Sequence, residues 1–401
     1  MANTILTRQE ITREFLRLLI NNLVAVRSIN RQYDNQFAKS GGKIGSDLKI
    51  RLPNQYAIRT GATMSVQDTT QRSTTLTVAN QIGVDVQFSS VELTLSLDDF
   101  SKNVLEPAAA TLGNEMDRLI CALYKDVFMS VGTPGTTPAT AATILAAGQK
   151  LDEAGVPRTG RAMIVNPAAN AALVDGMKGF FNPQGTLSDQ FKKGTIGNAV
   201  LGFDTIGMDQ NIATHTVGAL GGTPLVNGAS QTGSSLVTDG WTAAAANRLK
   251  QGDVFTIAGV YAVNTMSKQS TGALQQFTVT ADTASDASGN ATVPISPAIV
   301  ASGPYQNVSG SPADNAALTV LGTAATQYPQ NLAFHKDAFT LVTADLEMPP
   351  SGWDSHRETY ENISIRYIRG FDIVNDKFPA RFDILYGMKA LRPEMACRVW
   401  G

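Results

Sequence analysis

The sequence predicts an α+β chain, with helical and extended stretches in separate blocks. Three observations carry this. Apolar residues step by three and four near the N-terminus and again over residues 98–131. They alternate with polar residues between 47 and 90. Strand-forming segments separated by turn clusters fill 253–298 and much of 331–401. At 401 residues the chain is long enough for two or three domains and a large core.

Thr7 and Glu10 stand three apart, as in a capping box, and open the first helix. Ile11, Phe15, Leu18, Leu19, Leu23 and Val26 then form one apolar face. That face docks on the chain's own core or on another chain. Leu48, Ile50 and Leu52 alternate in a strand stopped by Pro53. Leu76 and Val78, then Val84, Val86 and Phe88, alternate again. The polar segment 59–72 lies between, with Gly61 as a turn residue. A hairpin so poor in apolar residues at its middle cannot form a core alone, so it lies on its own body or reaches across to a neighbour.

The longest helix is expected over 98–131. Pro107 suits its first turn, and Leu105, Ala108, Leu112, Met116, Leu119, Leu123 and Val127 make its stripe. Twenty-five helical residues would extend about 38 Å. A short Ala-rich helix at 142–154 and a strand at 162–165 follow, and Asn166-Pro167 caps the next helix. Strands are expected at 254–263, around Phe277, Val279, Val293 and Ile295, and at 339–342, 363–368, 371–374 and 382–386. The cluster 282–290 reads as a turn.

Charged residues make up 16% of the chain, below the roughly 25% of ordinary soluble domains. A subunit that buries much of its surface against copies of itself tolerates this, and an Ala/Gly/Thr-rich loop style accounts for it equally. A net charge of −2 argues against tight nucleic-acid binding, though not against a container for DNA. The two cysteines, Cys121 and Cys397, allow no CxxC pair and read as buried thiols. No segment supplies the ~20 apolar residues of a membrane span. His215, His335 and His356 form no metal-binding spacing, and no phosphate-loop, dinucleotide or nucleophile-elbow motif occurs. Neither an enzyme nor a cofactor is expected, and if copies of the chain assemble, replacing the three histidines by Gln should leave that assembly near normal.

Five stretches resemble one family: NTILTRQEITREFLRLLINNL (3–23), KIGSDLKIRLPNQYAIRTG (43–61), GDVFTIAGVYAVN (252–264), NLAFHKDAFTLVTADLEMP (331–349) and ISIRYIRGFDIVNDKFPARFDILYGMKALRPEMACRV (363–399). They are similar to the coat proteins of tailed phages, in the short-tailed branch with an inserted β-domain. The resemblance implies the phage major capsid (Johnson) fold. On it, 1–45 would be the N-terminal arm, 46–97 the extended loop and peripheral strands, and 98–139 the spine helix of the peripheral domain. Residues 140–221 and 331–401 would form the axial domain in one sheet, interrupted by a small β-barrel or sandwich at 222–330.

The implied function is a major capsid protein whose shell encloses packaged double-stranded DNA, built as a scaffold-assisted procapsid that later matures. Its implied partners are copies of itself in hexamers and pentamers, a scaffolding protein and a portal protein, with non-specific proximity to DNA and no membrane. It would reside in the virion and assemble in the host cytoplasm. The alternative is the shell of an encapsulin-like nanocompartment. No long helical segment precedes the arm as a fused scaffold, so the scaffold is expected as a separate protein. No lysine occurs between Lys49 and Lys102, so the loop offers no amine for an isopeptide cross-link and the shell should be non-covalent. Arg59, Asp68 and Arg72 are the candidate inter-subunit contacts, made through salt bridges and hydrogen bonds. Glu10 and Glu14, four apart on one helix face, are the candidate contacts to scaffold or neighbour.

Overall fold

A computed structural model describes residues 8–32, 46–56, 58–59, 61–64, 66, 71–89, 100–177, 194, 196–243, 246–350 and 354–401. Thr7 and Asp68 lie outside these residues. The chain forms two compact units. One holds Met1–Arg51, Ser73–Ile120 and Phe339–Leu391, and the other Leu52–Arg72, Cys121–Ala338 and Arg392–Gly401.

In the first unit, helix α1 (Arg8–Asn22) buries Ile11, Phe15, Leu16, Leu19 and Ile20. Phe15 stacks on Phe382 with ring centroids 3.9 Å apart and planes 6° from parallel. The apolar face of the arm is therefore covered by its own chain. The sheet beneath runs in the order Asn30–Gln32, Phe339–Ala344, Lys377–Ala390, Ile363–Arg369, Asp354–Tyr360, and Asn80–Ser89 also pairs with Lys377–Ala390. Ser46–Arg51 pairs antiparallel with Ser73–Val78, in a register that sets Leu48 opposite Leu76. Leu76 and Val78 pack with Val342, Ala344, Leu346 and Leu385, against which Leu48 and Ile50 are partly buried.

Helix α2 (Glu106–Cys121) follows a π-turn, Ser101–Leu105, and tightens into a 3-10 turn, Ala122–Asp126. It ends earlier than the apolar spacing suggested. Val127 is already extended (φ −84°, ψ 119°). The next residues, Met129–Val131, are drawn into a parallel pairing with Ala396–Val399. Asp117 ties α2 to the segment after α1. Its buried carboxylate accepts the N–H groups of Val24 and Val26 at 2.8 and 2.9 Å.

The second unit contains a six-stranded sheet in the order Met129–Val131, Ala396–Val399, Asn331–His335, Arg161–Val165, Phe203–Met208, Asn198–Val200. Helices α3 (Ala141–Glu153) and α4 (Pro167–Gly176) belong to the same stretch. Asn166 caps α4 as its sequence implies, Oδ1 accepting Ala169 N–H at 2.9 Å. Residues 331–335 and 396–399 thus rejoin the 140–220 region. The strands of 339–390 instead form the sheet of the first unit, so the C-terminal stretch does not enter one sheet whole.

A second six-stranded sheet occupies the β-rich region, in the order Gly222–Val226, Gly233–Trp241, Ala291–Ile299, Ser270–Val279, Val254–Val263, Leu318–Val320. Its core gathers Leu236, Phe255, Ile257, Phe277, Val293 and Ile295. At 282–290, Asp286 Oδ1 accepts the N–H groups of Ser288 and Asn290, both at 2.8 Å, which makes the expected turn.

The expected strand at 371–374 is a turn. Asp372 Oδ1 accepts Val374 N–H at 3.0 Å and its Oδ2 accepts the Asn375 side chain at 2.8 Å. This turn leaves Phe371, Ile373 and Val374 exposed before the long strand Lys377–Ala390 begins.

Candidate assembly surface

The extended loop leaves the hairpin at Leu52, whose N–H reaches the Arg72 carbonyl at 2.9 Å. Pro53 has no N–H to continue the ladder. Arg59 Nη1 donates to the carbonyls of Gly61 and Thr63 at 2.5 and 2.7 Å, and so ties a local turn. Gly61 supplies the φ of +100° that this turn needs. The Arg72 guanidinium lies over the Tyr305 ring, 4.7 Å from its centroid. With Asp68 outside the described residues, no pairing among the three candidate contacts is seen. Arg59 and Arg72 are each engaged within their own chain.

The loop's outward surface is not polar alone. Tyr56, Ile58, Met64 and Val66 are 59%, 87%, 77% and 78% exposed. Tyr56 and Ile58 lie before the polar segment 59–72, and Met64 and Val66 lie inside it. The signal available was their spacing of two in a segment with no core of its own.

Glu14 accepts both Arg17 donors at 2.5 and 2.9 Å and the Ser101 hydroxyl at 3.1 Å. The Arg17 bond, against burial, holds its carboxyl below the usual range. Glu10 is half-buried in the first turn of α1. Arg8 and Arg13 pair with Asp354 and Glu358 at 3.4 and 3.5 Å. The outward side of α1 is thus a row of partly exposed ion pairs, each contributing little to stability.

The histidines do not assemble a site. His335 is buried, and its Nδ1 accepts Asp337 N–H at 3.2 Å. His356 Nε2 sits 3.1 Å from Glu358. His215 has the richest setting. Its Nδ1 is 3.1 Å from the Tyr124 hydroxyl and its Nε2 is 2.7 Å from Asp253 Oδ1. Asp253 Oδ2 accepts the N–H groups of Gly218 and Lys250 at 3.1 and 2.7 Å.

Arg398 lies beside this row, its guanidinium carbon 5.2 Å from the Tyr124 ring centroid, and donates to Gly252 O at 2.6 Å and Thr278 Oγ1 at 3.2 Å. Burial pulls Arg398 down to about 10, still cationic at neutral pH. A Tyr–His–Asp row suggests proton relay, but Tyr124, His215, Asp253 and Arg398 are all buried and bonded chiefly to one another and to backbone, with Arg398 Nε left unpartnered. Such a cluster fixes packing and offers substrate no access. Among the described residues, no group of three or more His, Cys, Asp or Glu is placed to hold a metal ion, and no helix is long and apolar enough to cross a membrane.

A family model described as P22 coat protein, gene protein 5, matches residues 1–400. A protein named major capsid protein, from Acyrthosiphon pisum secondary endosymbiont phage 1, is 23% identical over 426 residues, covering 100% of both chains. Among solved structures, a chain of Mycobacterium phage Che8 is 14% identical, covers 94% of this chain and 90% of its own, and has a TM-score of 0.42. The CUS-3 coat protein I-domain is 33% identical, covers 25% of this chain and 96% of its own, and has a TM-score of 0.19.

Proposed function

The chain belongs to the P22 coat protein family, and from that membership we propose that assembly itself is its activity. It is a phage major capsid protein, copies of which form the shell of the virion. The observation that carries this is the family match over residues 1–400. A full-length relative bearing the name major capsid protein supports it. Members of this family are structural proteins and not enzymes. A nanocompartment shell that packages an enzyme draws no support from either finding.

Several finer points belong to the proposal. The shell is built with a separate scaffolding protein, incorporates a portal protein, and comes to lie around packaged DNA without binding it tightly. The arm (1–45), extended loop, spine and axial regions work as parts of one subunit, with 222–330 as an inserted domain that aids folding. The loop crosses to a neighbouring copy. There Arg59, Asp68 and Arg72 make polar contacts while Tyr56, Ile58, Met64 and Val66 lose exposed apolar surface. Arg72 can serve both ends, because a guanidinium stacked by its face keeps its in-plane N–H groups for a carboxylate. Glu10 and Glu14 on the arm meet basic side chains of the scaffold or of a neighbour.

Sedimentation of purified subunits, with and without the scaffolding protein of the same phage, tests the reading. It predicts fast-sedimenting closed particles that negative-stain images show as shells. Subunits that stay slow under every condition would refute it.

A further inference from the structure

The base of the extended loop rests on one aromatic ring. Gln55, on the outgoing stem, points its N–H at the Tyr305 hydroxyl at 3.5 Å. Arg72, on the returning stem, covers the Tyr305 ring with its guanidinium. One side chain thus touches both stems of the loop, near the last rung of the hairpin.

The ring itself is held stiffly. Tyr305 sits in a turn closed by Gln306 N–H to Gly303 O at 3.1 Å. Asn307 fastens that turn to the neighbouring strand, accepting Val300 N–H at 3.0 Å and donating to Ala298 O at 2.7 Å. Lys268 Nζ holds the preceding carbonyl, Pro304 O, at 2.6 Å. Among the described loop residues beyond the base, Tyr56, Ile58, Met64 and Val66 are exposed. The two stems share this one stiffly held side chain where the loop begins and ends.

We infer that Tyr305 is a positioning residue for assembly: it clamps the two stems of the extended loop and so sets the direction in which the loop presents Tyr56, Ile58, Met64 and Val66 to a second copy of the chain. The assembly half of this rests on the shell reading above, whereas the clamp concerns the single subunit. A cation over an aromatic ring at a partly exposed site is a weak joint. It narrows the loop's range and still yields when a neighbour engages.

The test is limited trypsin cleavage after Arg59 in the unassembled subunit, comparing wild type with Y305F, Y305A and R72A. Cleavage that follows loop opening reports the open population. Loss of the ring should speed the cut about two- to fivefold in Y305A, with R72A alike and the melting temperature unchanged. Y305F, which keeps the ring under Arg72 but loses the contact to Gln55, should cleave at a rate between those of wild type and Y305A. Equal rates in all four proteins would overturn the clamp. A Y305F rate equal to that of Y305A would assign the hold to the hydroxyl and overturn the role of the ring. If Y305A fails to fold, R72A decides by the same criterion. Assembly is then read on the folded variants. Fewer or misshapen particles from Y305A are expected, and normal particles from a subunit with a released loop would overturn the positioning role. Failure of the wild type to form particles would sink the shell reading and leave the clamp to the cleavage result.

Discussion

His215 and Asp253 meet side chain to side chain, Nε2 to Oδ1 at 2.7 Å, with both groups buried. Removing the imidazole strips one bond from Asp253 and another from Tyr124 and leaves polar atoms unsatisfied in the interior. His215→Ala should cost about 1–3 kcal/mol of subunit stability, read as a lower urea midpoint. His356→Gln, at a partly exposed pair, should stay within about 0.5 kcal/mol. In the triple exchange to Gln, any loss of subunit stability should therefore trace to His215, whereas particle formation should stay near normal.

Asp383 predicts a pH effect. Burial raises its pKa, but bonds from Arg381 and Arg366, each 2.8 Å, outweigh burial and hold it below the usual carboxylate range. A carboxyl depressed in the folded state adds stability above its unfolded value, about 3.9, and loses it as pH falls through the folded value. Asp383→Asn should thus be less stable than wild type at pH 7. The gap should start to narrow only below about pH 4 and keep shrinking as pH falls further, in urea midpoints followed downward from pH 7.

Phe15 anchors the arm. Phe15→Ala removes a stacked, fully buried ring and should cost about 3–5 kcal/mol. Hydrogen exchange should speed up across Arg8–Asn22 before the rest of the first unit, the order expected of a helix held by one buried face.

Cys121 and Cys397 are both buried, and burial pushes the Cys397 thiol up to about 12. Thiolate is the reactive form, so neither should label with a disulfide reagent at pH 8 until the chain is unfolded. Labelling of the native subunit at the rate of a free thiol would contradict the buried placement.

The legible parts of this chain are those whose causes are local. The helical spacing of Ile11, Phe15 and Leu19, the Asn166-Pro167 start and the Asp286 turn each act within a few residues, and each forms as its sequence implies. Phe371, Ile373 and Val374 look strand-like by composition, but the Asp372 side chain captures the backbone and makes a turn. Arg398 could not be read at all. It lies in a fully buried strand, and its partners Gly252 and Thr278 are 146 and 120 positions away. The division of 331–401 between two sheets is likewise decided by pairing partners remote in sequence. On the extended loop, Arg59 and Arg72 are legible as charges, whereas Tyr56, Ile58, Met64 and Val66 stand out through their exposure in the folded chain.

Replacing Arg59, Asp68 and Arg72 together by Ala should barely move the melting temperature of the subunit. The same change should make shells yield earlier to heat or urea, since a gain of about 0–1 kcal/mol per exposed contact is repeated around the particle. An early-melting subunit whose shells remain as durable as wild type would mean that the loop serves only its own chain.

The most direct test is an electron cryomicroscopy map of particles formed by the full chain with its scaffolding protein. The account predicts a closed icosahedral shell in which the loop runs from its base at Tyr305 onto a neighbouring copy, covering Ile58, Met64 and Val66. Absence of closed particles, or a loop lying wholly against its own subunit, would contradict it.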